Sequence, residues 1–203
     1  MSTTDRQPRR RFGMFDLLAP FYDPAMRLLG ASYSEAAALL QLHPGDLVVD
    51  VGGGTGLGAR AAVAAVGCHV LIVDFNAAML RHGRCDGCIG CVRGNAVQLP
   101  LPDASADGVM ILDALHHFPQ PERALAEVAR VLKPSGRLAV LELEARHPAT
   151  KVLALAERLA GEPGVMWTAQ QLAAMLRQAG LSPLSIRGRG FGVMVTAARP
   201  NVM

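Results

Sequence analysis

The chain has 203 residues, 51% of them hydrophobic and 18% charged, a balance typical of one globular domain and not of a disordered segment. Its 20 basic and 17 acidic residues leave a formal charge of +3, which is too small to indicate binding to nucleic acid or to a membrane surface. The sequence contains neither an apolar run of the roughly 18 residues that a membrane span needs nor a signal peptide, so we expect a cytoplasmic protein.

The N-terminal part of the chain precedes the first predicted strand. Residues 1–12 are polar and basic, and we expect a flexible arm there. Residues 14–41 carry apolar side chains at spacings of three and four, interrupted by Pro20 and Pro24, which predicts short helices instead of a long one. We expect these helices to lie over the mouth of a site.

Apolar runs and helical patterns alternate through the rest of the chain. The predicted strands lie at about 47–51, 69–73, 89–93, 107–112, 137–143, 183–188 and 191–198. The predicted helices lie at about 57–66, 76–83, 121–132, 148–159 and 168–178. This alternation predicts a single Rossmann-like α/β domain over 1–203, with a seven-stranded, mostly parallel sheet, helices on both faces and an antiparallel C-terminal hairpin.

A glycine-rich stretch follows the first predicted strand. Between Asp50 and Ala59 the chain has five glycines within seven positions, and helix-forming residues come next. Glycines leave room for a ligand to approach the backbone, and a helix N-terminus offers N–H groups to a carboxylate or phosphate. The pattern therefore predicts a nucleotide-binding loop between a strand and a helix, although a tight turn alone is also consistent with it.

Two specific interpretations of this loop compete. A G-x-G-x-x-A pattern beginning at Gly54 fits the dinucleotide fingerprint, whereas a D-x-G-x-G-x-G pattern beginning at Asp50 fits the loop of S-adenosylmethionine (SAM) methyltransferases. Asp74 ends the second strand about 20 residues later, where a carboxylate accepts hydrogen bonds from ribose hydroxyls in either case. The loop alone does not decide between the two.

Segments further along the chain favour the second interpretation. They comprise Val48–Gly58, Val73–Leu80, Gly94–Asp103, Leu112–Phe118 and Arg130–Leu138. In this order and spacing the chain resembles class I SAM-dependent methyltransferases, especially the ubiquinone/menaquinone-biosynthesis group and its small-molecule relatives. The resemblance implies an enzyme that uses SAM to methylate a small molecule. An NAD(P)-dependent oxidoreductase and a non-catalytic SAM- or metal-binding module remain the alternatives.

The resemblance also assigns a cofactor site. It implies that the glycine loop holds the methionine part of SAM, that Asp74 holds the ribose, and that Phe75 and Met79 pack on the adenine, unless they are ordinary core residues. The full set of implied cofactor residues is Tyr22, Asp50, Gly52, Gly54, Gly56, Asp74, Phe75, Met79, Asn95, Ala96 and Asp113. We expect Asp50 to orient the loop, and Tyr22 belongs to a segment that folds over the cofactor in relatives.

Three residues depart from the family pattern. Asn95 stands where the family usually has Asp, Ser135 replaces a usual glycine and Leu101 a usual phenylalanine. An amide both accepts and donates hydrogen bonds, so Asn95 keeps the expected contact with the adenine amino group. The stretch after the fifth strand is short and leaves little room for a large insert that covers substrate.

His116 and His117 follow the fourth predicted strand, at the sheet edge where α/β folds bind ligands. An unperturbed histidine titrates near neutrality and suits a general base, so both are candidate catalytic residues, with His117 preferred. The alternative is one structural and one solvent-facing histidine. Glu142 ends the fifth strand, where it either faces substrate or is a partly exposed structural carboxylate.

Three of the four cysteines form a C-x₂-C-x₂-C pattern, made by Cys85, Cys88 and Cys91. Thiolates at this spacing can share one soft metal ion, with Cys68 as a fourth ligand from the neighbouring strand. That edge of the sheet lies away from the predicted SAM site, so such a metal would be structural. Reduced surface thiols are the favoured interpretation, and we assign no metal ligands.

Overall fold

The structure is a computed structural model that describes residues 19–20, 23–24, 33–83, 85–159, 161 and 164–201. Its strands are β1 Leu47–Val51, β2 His69–Asp74, β3 Ile89–Arg93, β4 Ala106–Leu112, β5 Leu132–Leu143, β6 Ser182–Arg189 and β7 Gly192–Ala198. Its α-helices are α1 Ser34–Leu39, α2 Leu57–Val66, α3 Ala77–His82, α4 Pro121–Val131, α5 Pro148–Leu159 and α6 Ala169–Gln178. A short 3₁₀ helix, Leu115–His117, follows β4.

The strands form one sheet in the order β3-β2-β1-β4-β5-β7-β6. The first five strands are parallel, and β7 lies antiparallel between β5 and β6. The predicted Rossmann-like fold with a C-terminal hairpin is therefore confirmed. The strand order reverses between β1 and β4, so their carboxyl ends flank the crevice where open α/β sheets bind ligands.

Each face of the sheet carries its own hydrophobic core, because successive side chains of a strand point to opposite faces. Val49 packs with Leu125 of α4 and Leu172 of α6 in one core. Val48 packs with Ala59 of α2 in the other, which also includes the buried alanines of α1. Helices on both faces hold β1 rigidly, and its end carries the glycine loop.

Local capping explains why two of the helices begin where they do. Asn76 caps α3, since its side chain accepts the N–H groups of Ala78 and Met79. Thr168 and Gln171 form a capping box at the start of α6. The cap at Asn76 makes α3 begin directly after β2, which fixes the position of Asp74 relative to Met79.

The N-terminal predictions are only partly covered by the described residues. Helix α1 lies within the predicted range 14–41, and Tyr33 and Ala36 pack in the second core. The predicted arm 1–12 and Tyr22 lie outside the described residues. Along the part of the chain that the structure describes, no helix is long and apolar enough to cross a membrane.

The cysteines differ from both interpretations of their pattern. Cys85 and Cys91 form a disulfide bond, while Cys68 is a buried thiol and Cys88 a half-buried one. Neither a metal site made of three or four thiolates nor a set of four free thiols is compatible with this bond. The spacing of the cysteines in the sequence could not predict the disulfide, because a disulfide and a metal site both require sulfurs that lie close together.

Candidate cofactor and acceptor site

The glycine loop between β1 and α2 packs tightly against its neighbours. Gly52, Gly54 and Gly56 all have positive φ angles, of 75°, 54° and 79°. A Cβ atom added to Gly52 would lie 2.7 Å from Cβ of Ala114, and one added to Gly56 would lie 2.7 Å from Cδ1 of Ile72. Only glycine combines these backbone angles with this close packing, so the sequence fixes the shape of the loop.

Asp74, at the end of β2, is bonded to the glycine loop. Its Oδ2 accepts the Gly54 N–H at 2.8 Å, and its Oδ1 accepts the Asn76 N–H at 2.6 Å. The methyl carbon of Met79 would lie 2.9 Å from a Cβ added to Gly54. The structure therefore brings together three residues of the predicted cofactor site that are spread over 26 positions of the sequence.

Asp50 is a buried carboxylate at the base of the loop. Among the described residues neither of its oxygens has a hydrogen-bond partner. A Cβ added to Gly53 would lie 2.6 Å from one carboxylate oxygen, so the loop closes directly over this group. Burial, reinforced by the charge of Asp74, raises the pKa of Asp50 to about 7, against a smaller lowering by the nearby backbone N–H of Ala59, which does not reach hydrogen-bonding geometry.

The residues predicted to contact adenine lie beside β2 and β3. The Phe75 ring is 48% exposed and not part of the core, and the Arg93 guanidinium carbon lies 5.3 Å from its centroid. Met79 is 5% exposed. This burial fits an ordinary core residue as well as a residue that packs on adenine. Asn95 accepts the Val97 N–H at 3.2 Å and pairs with Gln98, which places Ala96 in the turn between them.

These residues fit the chemical groups of SAM. The loop offers backbone groups that no side chain of its own covers, and the Asp74 carboxylate beside it suits a ribose diol. An exposed aromatic face and the amide of Asn95 suit a purine and its amino group. Together these residues give the Rossmann-like fold a set of groups that fits a nucleotide cofactor.

Part of the N-terminal segment contacts the site through residues that the sequence did not single out. The carboxylate of Asp23 accepts hydrogen bonds from Thr55 in the loop and from Arg60 in α2. The Tyr33 hydroxyl donates to Asp113 Oδ2 at 3.3 Å. The only sequence signal for Asp23 was its position next to Tyr22, in the segment expected to fold over the cofactor.

Asp113 lies just beyond β4, on the acceptor side of the crevice. Its φ is 51°, unusual for a residue other than glycine, and its N–H donates to the Leu141 carbonyl. Burial, together with the charge of Glu142, raises the pKa of Asp113 to about 7, although His116 and the Tyr33 hydroxyl act in the opposite direction. Asp113 therefore links the N-terminal segment to the histidine pair.

His116 is buried and held by Glu142. Its Nδ1 lies 2.5 Å from Glu142 Oε2, while Glu142 Oε1 accepts the Leu115 N–H at 2.7 Å. Glu142 is only 1% exposed, so the expectation of a substrate-facing or partly exposed carboxylate is wrong. Burial alone would lower the pKa of His116, but the hydrogen bond and charge of Glu142, with the charge of Glu157, raise it.

His117 is half-buried and its ring centroid lies 3.9 Å from that of His116. Burial, followed by the charge of His116, lowers the pKa of His117 to about 3. The near-neutral titration on which its role as a general base was predicted is therefore absent. His117 is neutral at physiological pH and offers a hydrogen-bonding ring.

A pocket of about 510 Å³ opens beside the histidine pair. Its lining consists of His116, His117, Phe118, Pro119, Pro121, Glu122, Val165 and Trp167. Phe118 lies between this pocket and the glycine loop, since its ring would be 3.2 Å from a Cβ added to Gly52. A second depression, of about 320 Å³, lies between Leu40 and Arg137 and is lined by none of the predicted site residues.

Comparison with known proteins gives the family. A family model described as a methyltransferase domain matches residues 49–140. The demethylmenaquinone methyltransferase of Thermobifida fusca is 32% identical over 180 residues, which cover 82% of this chain and 74% of that protein. The demethylmenaquinone methyltransferase of Renibacterium salmoninarum is 35% identical over 153 residues, 72% of this chain and 63% of the relative.

A solved structure supports the fold alone. The putative methyltransferase of Haloferax volcanii, solved in complex with the Trm112 methyltransferase activator, is 19% identical and has a TM-score of 0.84, covering 95% of this chain and 100% of that one.

The family model and the relatives show that the chain belongs to the SAM-dependent methyltransferase family, in the group that includes the demethylmenaquinone methyltransferases. Membership confirms the predicted family, and it favours the SAM interpretation of the glycine loop over the nicotinamide interpretation.

Proposed function

We propose that the chain transfers the methyl group of SAM to a small, ring-shaped acceptor of the quinol class. The observation that carries the proposal is a packing contact between two parts of the site. Phe118, which lines the histidine pocket, packs against Gly52 of the glycine loop, and the same loop is bonded to Asp74 through Gly54. A cofactor held by the loop and an acceptor in the pocket would therefore be neighbours.

The reaction requires little covalent chemistry from the protein. SAM held by the glycine loop and Asp74 would supply an electrophilic methyl group on a sulfonium leaving group, with the demethylated cofactor and a proton released from the acceptor to water as the other products. The chain's main contribution is to hold the acceptor in line and exclude water. Such positioning can supply about 7–11 kcal/mol of a barrier.

Within this proposal each part of the site has a separate role. The loop backbone holds the methionine part, Asp74 the ribose, and Phe75 with Asn95 the adenine. His117 contacts the acceptor as part of the pocket wall. His116 is a positioning residue, because Glu142 fixes its ring and that ring packs at a tilt against the His117 ring.

The wall of the pocket supports an aromatic or quinol acceptor. Phe118, Pro119, Pro121 and Trp167 offer apolar surface, and His116, His117 and Glu122 add polar groups to the same wall. The relatives named demethylmenaquinone methyltransferase point to the same class of acceptor, although the chain spans only 63% of the Renibacterium protein. We place the reaction in the cytoplasm, as expected from the sequence.

The experiment is a transfer assay on the purified protein. We expect a reduced demethylmenaquinone with a short side chain to gain one methyl group from SAM, as detected by mass spectrometry. A phenol, an amine and a thiol serve as competing acceptors. Gly54→Val should abolish transfer, since its φ of 54° strains any larger residue, provided that circular dichroism shows a folded variant. SAM binding without transfer to any of these acceptors would instead favour a non-catalytic binding module.

A further inference from the structure

Three potential metal ligands converge beside the acceptor pocket. They are His116 and His117 of the 3₁₀ helix and Glu157 of α5, and one ligand atom from each lies within 4.8 Å of the others. His116 Nε2 is 3.8 Å from Glu157 Oε1. Two ligands of one zinc ion, each bound at about 2.0–2.2 Å, lie roughly 3.4 Å apart in a tetrahedral site, so a small closing movement suffices.

Glu157 is a buried carboxylate with an unsatisfied oxygen. The residue is 8% exposed, and its Oε2 has no hydrogen-bond partner in the ranges that the structure describes. Burying a carboxylate without compensation is costly, and proteins normally pair such groups or let them bind a metal. The 3.8 Å separation from His116 is too long to be a hydrogen bond.

Glu142 orients His116 from the opposite side of the ring. Because Nδ1 of His116 is bonded to Glu142, the other ring nitrogen is directed toward Glu157. Metal-binding histidines commonly bond a carboxylate through the nitrogen that does not bind the metal, which fixes the tautomer and the direction of the ligand. Here Glu142 contacts one ring nitrogen of His116, and the other ring nitrogen is directed toward the side where Glu157 lies, as expected for a metal-binding histidine.

A segment before α6 closes over these side chains. A Cβ added to Gly164 would lie 2.7 Å from His116 Cδ2 and 3.3 Å from Glu157 Oε2. The next residue, Val165, donates its N–H to the His116 carbonyl at 3.0 Å. The backbone therefore covers the pair on one side, and His116, together with His117, lines the pocket that Val165 also lines.

We propose that His116, His117 and Glu157 bind one divalent transition-metal ion, with Zn²⁺ the best match. Two imidazole nitrogens and one carboxylate oxygen suit zinc better than calcium or magnesium, which prefer oxygen ligands. Three protein ligands leave a fourth position that faces the pocket. If the proposed function holds, an oxygen of the acceptor occupies that fourth position. The metal site itself does not depend on the proposed function.

The test uses full-length protein without a histidine tag, with its disulfide intact, and Co²⁺ as a spectroscopic probe for Zn²⁺. We expect one equivalent of Co²⁺ to produce visible absorption bands of a four-coordinate ion, and Zn²⁺ to displace it and raise the melting temperature. Glu157→Gln and His117→Gln should each weaken Co²⁺ binding by about tenfold or more. Either variant suffices if the other does not fold.

Two control variants separate this site from other metal-binding groups. Glu122→Gln changes an exposed carboxylate at the rim of the same pocket, and Cys88→Ser removes the half-buried thiol. Both should bind Co²⁺ as the unaltered protein does. Absence of the bands, or bands lost only with Cys88→Ser, would overturn the proposal and leave His116 as an ion-paired structural residue. SAM binding measured on the same samples reports separately on the proposed function.

Discussion

Asp74 Oδ2 lies 2.8 Å from the Gly54 amide nitrogen, so the carboxylate that ends β2 is bonded to the loop that follows β1. The two residues are 20 positions apart, and the parallel pairing of β1 with β2 brings them together. Each carboxylate oxygen can accept more than one hydrogen bond. Asp74 can therefore shape the loop and bind a ribose diol at the same time.

Replacement of Asp74 tests this double role. Asp74→Ala should weaken SAM binding by about 1.5–3 kcal/mol for each charge-assisted hydrogen bond lost. Titration calorimetry on the folded variant measures the effect. Asp86→Ala removes an exposed carboxylate of the α3–β3 connection and should leave the affinity unchanged. Equal affinity of the two variants would contradict the assignment of Asp74 to the site.

The buried carboxyl of Asp50 makes stability depend on pH. Its folded pKa of about 7 exceeds its ordinary value of 3.8, so between those pH values the folded state keeps a proton that the unfolded state releases. This contribution to the free energy of unfolding is fully present below pH 4 and is lost as pH rises to 7. Asp74 is the charge that reinforces the effect.

Asp50→Asn removes this titration while keeping the shape of the side chain. Between pH 5 and pH 8 the stability of the variant relative to the unaltered protein should rise by up to about 2.5 kcal/mol. Urea denaturation at the two pH values measures it, with the exposed Asp86→Asn as the matched control. A difference between Asp50→Asn and the unaltered protein that is the same at both pH values would show that Asp50 is ionised throughout.

We expect the buried pair of Glu142 and His116 to contribute to the free energy of unfolding. Glu142→Gln keeps an oxygen for the Leu115 N–H but breaks a buried pair with His116, which costs about 3–5 kcal/mol. Glu122→Gln, an exposed change in the first turn of α4, should cost less than about 1 kcal/mol. Urea denaturation with a chelator present compares them, and similar small losses would argue against a tight buried pair.

The elements of the fold were accessible from the sequence because their patterns are local. Alternating apolar runs and caps predicted each strand within a few residues, except that β5 begins at Leu132 and not at 137. The extra residues include Ser135, whose φ of 64° is a conformation that glycine, usual in the family at this position, adopts without strain. The Ser135 hydroxyl donates a hydrogen bond to the side-chain oxygen of Asn201, a contact that glycine could not make.

The histidine cluster was not accessible in the same way. His116, Glu142 and Glu157 belong to three elements whose packing no local pattern specifies. One signal was present: Glu142 interrupts the apolar run Val140–Leu143, and a carboxylate in a buried strand requires a buried partner. The glycine loop and Asp74, by contrast, follow a motif whose spacing encodes the geometry directly.

The central claim is that the glycine loop with Asp74 binds SAM, and titration calorimetry with SAM and NAD on the same protein tests it most directly. We predict one SAM bound per chain, with the demethylated cofactor competing for the same site, and no measurable heat of binding for NAD. Binding of NAD, or absence of SAM binding by folded protein, would contradict the account.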